Sequence, residues 1–148
     1  MYTVMIVDDE PAALELLCNI IRKRCPEFRI ADTAENGQEA LVKMEAVRPD
    51  LLITDVKMLV MDGVGLMARV QERFPETRMV VVSGYQDFAY VKAALRSGTC
   101  DYLLKPVMPR KLTEMMGRME EQLKEIRYRQ QCRIVKALCR GEPADTAR

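Results

Sequence analysis

Leu51-Leu52-Ile53-Thr54-Asp55 is a short run of uncharged, mostly apolar residues that stops at a carboxylate. Apolar side chains stand at both odd and even positions. Such a strand is covered on both faces, as strands of parallel sheets are, and is not half exposed to water. Three other runs end in the same way. Tyr2–Val7 stops at Asp8 and Asp9, residues 79–82 stop at Ser83 and Gly84, and residues 102–104 stop at Lys105 and Pro106. A fifth run, Phe28–Ala34, is the least hydrophobic and is placed at an edge of the sheet.

Between the runs, apolar residues recur at helical spacing. The sets are Leu14, Leu17, Cys18 and Ile21; Ala40, Leu41, Met44 and Val47; Met67, Val70 and Phe74; and Phe88, Val91 and Leu95. Pro26, Pro49 and Pro75 close the first three helices, Asn36-Gly37 opens the second, and Gly98 follows the fourth. The alternation predicts five β-α units and an α/β fold with a parallel sheet. Open sheets of this kind place their sites beyond the carboxyl ends of the strands. Asp8, Asp9, Asp55, Ser83 and Lys105 therefore converge on one edge from four strands.

After Pro109 a further helix is predicted. Met116, Met119, Leu123 and Ile126 alternate by three and four, as a coiled-coil seam does, although two heptads are too few to be diagnostic. Gly117 weakens that helix by about 1 kcal/mol relative to alanine. A second apolar stripe follows at Ile134, Val135 and Leu138, and the residues from Gly141 read as a frayed tail or the start of a linker.

Composition removes several classes of function. The chain has 148 residues, of which 49% are hydrophobic and 30% charged, and a net charge of +1, which gives no broad attraction to nucleic acid or an anionic membrane. It contains no histidine, which excludes histidine triads, HExxH metalloproteases and a phosphohistidine donor within the chain. Its five cysteines form no CxxC pair, so neither a zinc ribbon nor a disulfide framework is expected. They read as thiols of a reducing cytoplasm. No run is long enough to span a membrane, and the start lacks a signal-peptide pattern.

Three carboxylates at one sheet edge repel one another unless something compensates. A divalent cation is the simplest answer, and an all-oxygen donor set suits magnesium. One carboxylate must remain able to attack phosphorus. Asp55, at the end of a central strand, is the candidate, and its product would be an aspartyl phosphate. A transferring phosphoryl group spreads charge over three oxygens; Lys105 can offer an ammonium to them and Ser83 a hydroxyl.

The set Asp8-Asp9, Asp55, Ser83 and Lys105-Pro106 resembles the receiver domain of two-component response regulators over roughly residues 1 to 120. The stretch SGYQDFAYVKAALRSGTCDYLLKPV further resembles receivers of the YesN type, whose relatives usually carry an AraC-type DNA-binding domain. The resemblance implies a flavodoxin-like (CheY-like) five-stranded parallel sheet of order 2-1-3-4-5 with an extended C-terminal helix. It implies a receiver over residues 1–122, then a helix extension and linker over 123–148 toward an output domain. Asp9 would bind magnesium directly, Asp8 mostly through water, and Lys57 through its backbone carbonyl. Ser83 and Tyr102 would be switch residues, Lys105 would pair with Asp55, and the Lys105-Pro106 bond would be cis. A sensor histidine kinase would donate the phosphoryl group. A homodimer would form through the 86–122 face, the C-terminal helix, or both. DNA would be met only through the output domain, and no membrane is implied.

The stretch after Asp55, VKMLVMDG, departs from the family: Leu59 stands where proline is usual and Val60 where glycine is frequent. A more mobile or reshaped loop and an exposed apolar patch beside the site are expected there. Three alternatives fit the sequence less well. An aspartate-nucleophile phosphatase would carry a second aspartate where Lys57 stands. A phosphorylation-independent module would have lost Asp9, Asp55 or Lys105. The GxGxxA match at 63–68 lies too far beyond its strand for a dinucleotide site, and Gly63 is read as serving the turn into the next helix.

Overall fold

The computed structural model describes residues 1–58, 60–84 and 100–141. Five strands, β1 (Tyr2–Val7), β2 (Phe28–Ala34), β3 (Leu51–Asp55), β4 (Arg78–Ser83) and β5 (Cys100–Leu104), form one parallel sheet in the order β2-β1-β3-β4-β5. Four helices are described: α1 (Pro11–Arg24), α2 (Gly37–Val47), α3 (Gly63–Arg73) and α4 (Pro109–Cys139). The helix expected around 87–96 lies outside the described residues, as does Leu59. Among the described residues no helix is long and apolar enough to cross a membrane.

Side chains of a strand alternate between faces, and the core divides accordingly. Val4, Ile6, Leu51, Ile53, Val80, Val82 and Leu103 meet α1 and α4 on one face. Met5, Val7, Leu52, Met79 and Val81 meet α2 and α3 on the other. The central strands β3 and β4 are almost wholly buried, which explains why their sequence does not alternate. The polar β2 is an edge strand, and a bulge opposite Val4 and Met5 irregularises its pairing.

The spacing that resembled a coiled-coil seam has another cause. Met116, Met119 and Leu123 are buried against the sheet beside Leu112 and Met115, and Ile126 is half-buried against the same cluster. The three-four alternation of these residues fits α4 onto the core. The boundary placed between residues 122 and 123 falls inside this unbroken helix. Beyond Ile126 the helix is fixed by polar contacts. The Arg127 guanidinium lies 4.1 Å from the centre of the Tyr2 ring and reaches Asp50 at 3.4 Å, and Gln130 donates to Glu76.

Two glycines have opposite consequences. A Cβ on Gly63 would stand 2.3 Å from the Asp55 carbonyl oxygen, so only glycine lets the start of α3 pass beneath the end of β3. A Cβ on Gly117 would meet nothing within 4 Å. Gly117→Ala is therefore expected to raise stability by about 0.5–1 kcal/mol through helix propensity. Gly63→Ala should lower it by about 1–3 kcal/mol through overpacking. Urea unfolding of both variants checks the pair; equal midpoints would contradict it.

Candidate functional site

The strand register brings the polar residues together. β1 pairs with β3 up to Val7 and Thr54, so the next residues, Asp8 and Asp55, lie side by side at the sheet edge. Asp55 is opposite Val82, one residue before Ser83, and the Lys105 amide donates to the Ser83 carbonyl at 2.7 Å. Asp8, Asp55 and Lys105 continue the rows that point toward α1 and α4, whereas Ser83 continues the opposite row. The site is thus approached from both faces at one edge.

Asp8 and Asp55 are buried and Asp9 is exposed, and carboxylate oxygens of all three lie within 4.8 Å of one another. Lys105 Nζ donates to Asp55 Oδ2 at 3.0 Å and lies 3.9 Å from Asp8 Oδ2. The other Asp55 oxygen, Oδ1, accepts from the Val56 amide at 2.8 Å, and Asp8 Oδ1 accepts from the Glu10 amide at 2.9 Å. Burial drives the Asp8 carboxyl above its ordinary range. The Glu10 amide opposes the rise, and the Asp55 carboxylate adds to it. Burial depresses the Lys105 ammonium, but its hydrogen bond to Asp55 and the charges of Asp55 and Asp8 outweigh that, so its pKa is raised overall. The Lys105 ammonium therefore sits among an excess of negative charge.

Ser83 Oγ is fully buried and has no hydrogen-bond partner among the described residues. Leaving a buried hydroxyl unmade costs about 1–3 kcal/mol. Tyr102 is half-buried on β5, level with Val81 of β4. The Lys57 side chain is exposed. The Lys105-Pro106 peptide bond is cis.

Two glycines, read from sequence only as a turn residue and a helix start, shape the site through close contacts. Gly63 donates its amide to the Val56 carbonyl at 2.8 Å, which closes the β3–α3 segment under Asp55. Gly37, at the start of α2, donates to the Met61 carbonyl at 3.2 Å, and a Cβ there would stand 2.8 Å from Met61 atoms. The segment after β3 is thus tied at Met61. Met58 is buried and Val60 is 69% exposed, while Leu59, the other half of the apolar patch expected there, lies outside the described residues. The signal for these contacts was the glycines themselves, but their neighbours come from distant sequence.

Comparison with known proteins points to one family. The family described as response regulator receiver domain matches residues 4–117. The uncharacterized transcriptional regulatory protein YesN of Bacillus subtilis (strain 168) is 34% identical over 124 residues, covering 84% of this chain and 34% of YesN. The transcriptional regulatory protein HptR of Staphylococcus aureus (strain NCTC 8325 / PS 47) is 36% identical over 125 residues, 84% of this chain and 49% of HptR. The REC domain of AraT, a response regulator from Geobacillus stearothermophilus, superposes with a TM-score of 0.78 at 34% identity, covering 85% of this chain and 98% of that domain. The chain spans between about a third and a half of the length of these curated relatives. A parallel sheet of this order, with carboxylates, a lysine and a buried serine at its carboxyl edge, and a match over most of its length, make the chain a member of the response regulator receiver domain family of two-component systems.

Proposed function

We propose that Asp55 accepts a phosphoryl group from a sensor histidine kinase and that the acylphosphate so formed controls a transcriptional output. The single observation that carries this is the Asp55 carboxylate, held in place by the Val56 amide and the Lys105 ammonium beside two further carboxylates. A carboxylate oxygen of Asp55 forms the new P–O bond as the P–N bond to the kinase histidine breaks; the bonding pair returns to that ring nitrogen, and the imidazole leaves neutral, keeping the proton already on its other nitrogen. Lys105 leaves its pairing with Asp55 to neutralise a phosphoryl oxygen. Ser83 gives its buried hydroxyl to another phosphoryl oxygen, and Tyr102 follows by changing rotamer.

The donor set fits magnesium: three carboxylates crowd together, all donors are oxygens, and burial disfavours the charge on Asp8. Asp9 and Asp55 would hold the ion, with Asp8 acting mostly through water and Lys57 offering its backbone carbonyl. When bound, magnesium supplies charge neutralisation for the transferring group. Self-catalysed transfer and slow hydrolysis are the only chemistry in this reading.

The receiver reading covers 1–122, and the helix end and tail over 123–148 lead to an output domain that binds DNA. Two surfaces support a homodimer. Leu104 and Met108 are 42% and 57% exposed on the 86–122 face. On the outer face of α4, Tyr128, Cys132, Val135 and Cys139 alternate by four, three and four. The relatives' role as transcriptional regulators is consistent with action in the cytoplasm.

Two outcomes are expected. Acetyl phosphate with magnesium should add the mass of one phosphoryl group to the chain, and Asp55→Asn should remove that gain; intact mass measures it, and no gain under any condition overturns the reading. Asp8→Asn should stabilise the metal-free protein at neutral pH. A raised folded-state pKa favours folding only below the unfolded value, and that contribution is lost as pH rises through the folded value. The variant's advantage should therefore shrink toward acid, and excess magnesium should stabilise the parent more than the variant. Thermal unfolding in chelator and in magnesium across pH checks both signs.

A further inference from the structure

Helix α4 changes character where it leaves the sheet. Between Glu125 and Glu142 the sequence holds no acidic residue and five cations: Arg127, Arg129, Arg133, Lys136 and Arg140. Taking these five from the chain's 23 Lys and Arg leaves 18 to set against 22 Asp and Glu, so a net basic helix end is attached to a net acidic remainder. The inner face of this stretch is already occupied. Arg127 is held over Tyr2 and beside Asp50, and Gln130 is bonded to Glu76.

The other four cations recur at i, i+4, i+7 and i+11. On an α-helix that spacing confines them to a sector of about 60° and a length of about 16 Å. The Arg129 and Arg133 side chains are 69% and 72% exposed, and Lys136 and Arg140 are exposed as well. Arg129 pairs with Glu125 one turn back, and Arg133 reaches Glu76 only at 3.9 Å. Such exposed pairs are weak and yield to a denser anion. The stripe lies on a flank of the helix, between the receiver-facing side and the outer line that contains Tyr128 and Val135.

We propose that this stripe lies along the phosphate backbone of duplex DNA, as an accessory contact beside the output domain. The inference rests on the transcriptional reading above. About 16 Å of helix spans roughly five phosphates of one strand at about 3.4 Å of axis each. Three of the four cations are arginines, whose planar forks match phosphate oxygens in pairs. An anionic membrane is the less suitable polyanion, because interfacial helices set bulky Trp, Phe and Leu opposite their cations. Here the exposed apolar side chains away from the stripe are Tyr128, Val135 and Leu138, a single leucine with no Trp or Phe beside it, which is little bulk to anchor a helix in a bilayer surface.

The test uses the 148-residue chain with a labelled random-sequence DNA duplex, read by fluorescence anisotropy across a potassium chloride series. Four phosphate contacts predict weak binding with a slope of about −3.6 in log affinity against log salt. The combined variant Arg129→Gln, Arg133→Gln, Lys136→Gln and Arg140→Gln should lose at least about tenfold in affinity at low salt. Arg133→Gln and Lys136→Gln alone should each flatten the slope by about 0.9, which guards against a folding defect in the combined variant. Arg22→Gln, Lys23→Gln and Arg24→Gln together, on the exposed end of α1, should leave binding unchanged. Absence of DNA binding, DNA binding indifferent to the stripe, or capture by phosphatidylglycerol vesicles without capture of DNA would each overturn the proposal. The acetyl phosphate mass gain on the same preparation separates this result from the receiver reading, since either can fail while the other stands.

Discussion

Everything at the carboxyl edge depends on the parallel register of β1, β3 and β4. The backbone ladder, not the side chains, places Asp8 beside Asp55 and Ser83 one step beyond. Side chains that repel one another would not assemble of their own accord. Burial of Val4, Ile6, Ile53, Val80 and Val82 holds the strands in phase, and the carboxylates arrive together as a consequence. Each apolar side chain so buried contributes about 1.5–3 kcal/mol, which makes the core able to carry a costly edge. Lys105 relieves part of that cost by pairing with Asp55.

The architecture was legible because the central strands are apolar on both faces, a pattern with few other readings. The edge position of Phe28–Ala34 followed from its polarity for the same reason. The polar set was legible because each member ends a strand. What sequence did not disclose were contacts between distant segments. That Gly63 must pass under the Asp55 carbonyl, or that Gly37 must meet Met61, depends on how two helices seat on the sheet. The spacing of Met116, Met119 and Leu123 was ambiguous in principle. A helix on a sheet and a helix in a coiled coil both want one apolar stripe, and periodicity cannot tell the partner.

Ser83 and Asp8 share a physical predicament. Each is a polar group kept from water, the first with no partner among the described residues and the second with its charge disfavoured by burial. Such groups are expensive in a resting core. Their concentration at the carboxyl edge of the sheet is the strongest physical sign that the protein's work is done there.

The unbroken course of α4 has a consequence of its own. Its first half is locked against the sheet by Leu112, Met115, Met119 and Leu123, and its second half continues as the same rod for 31 residues in all. Each residue advances an α-helix by about 100°. The last turn of α4 is therefore held at a defined azimuth relative to the carboxyl edge of the sheet. The loss or gain of a single residue past Arg127 would swing it about a quarter turn, whereas seven residues would nearly restore it. The length of this helix is thus also an angular setting for its own C-terminal turn.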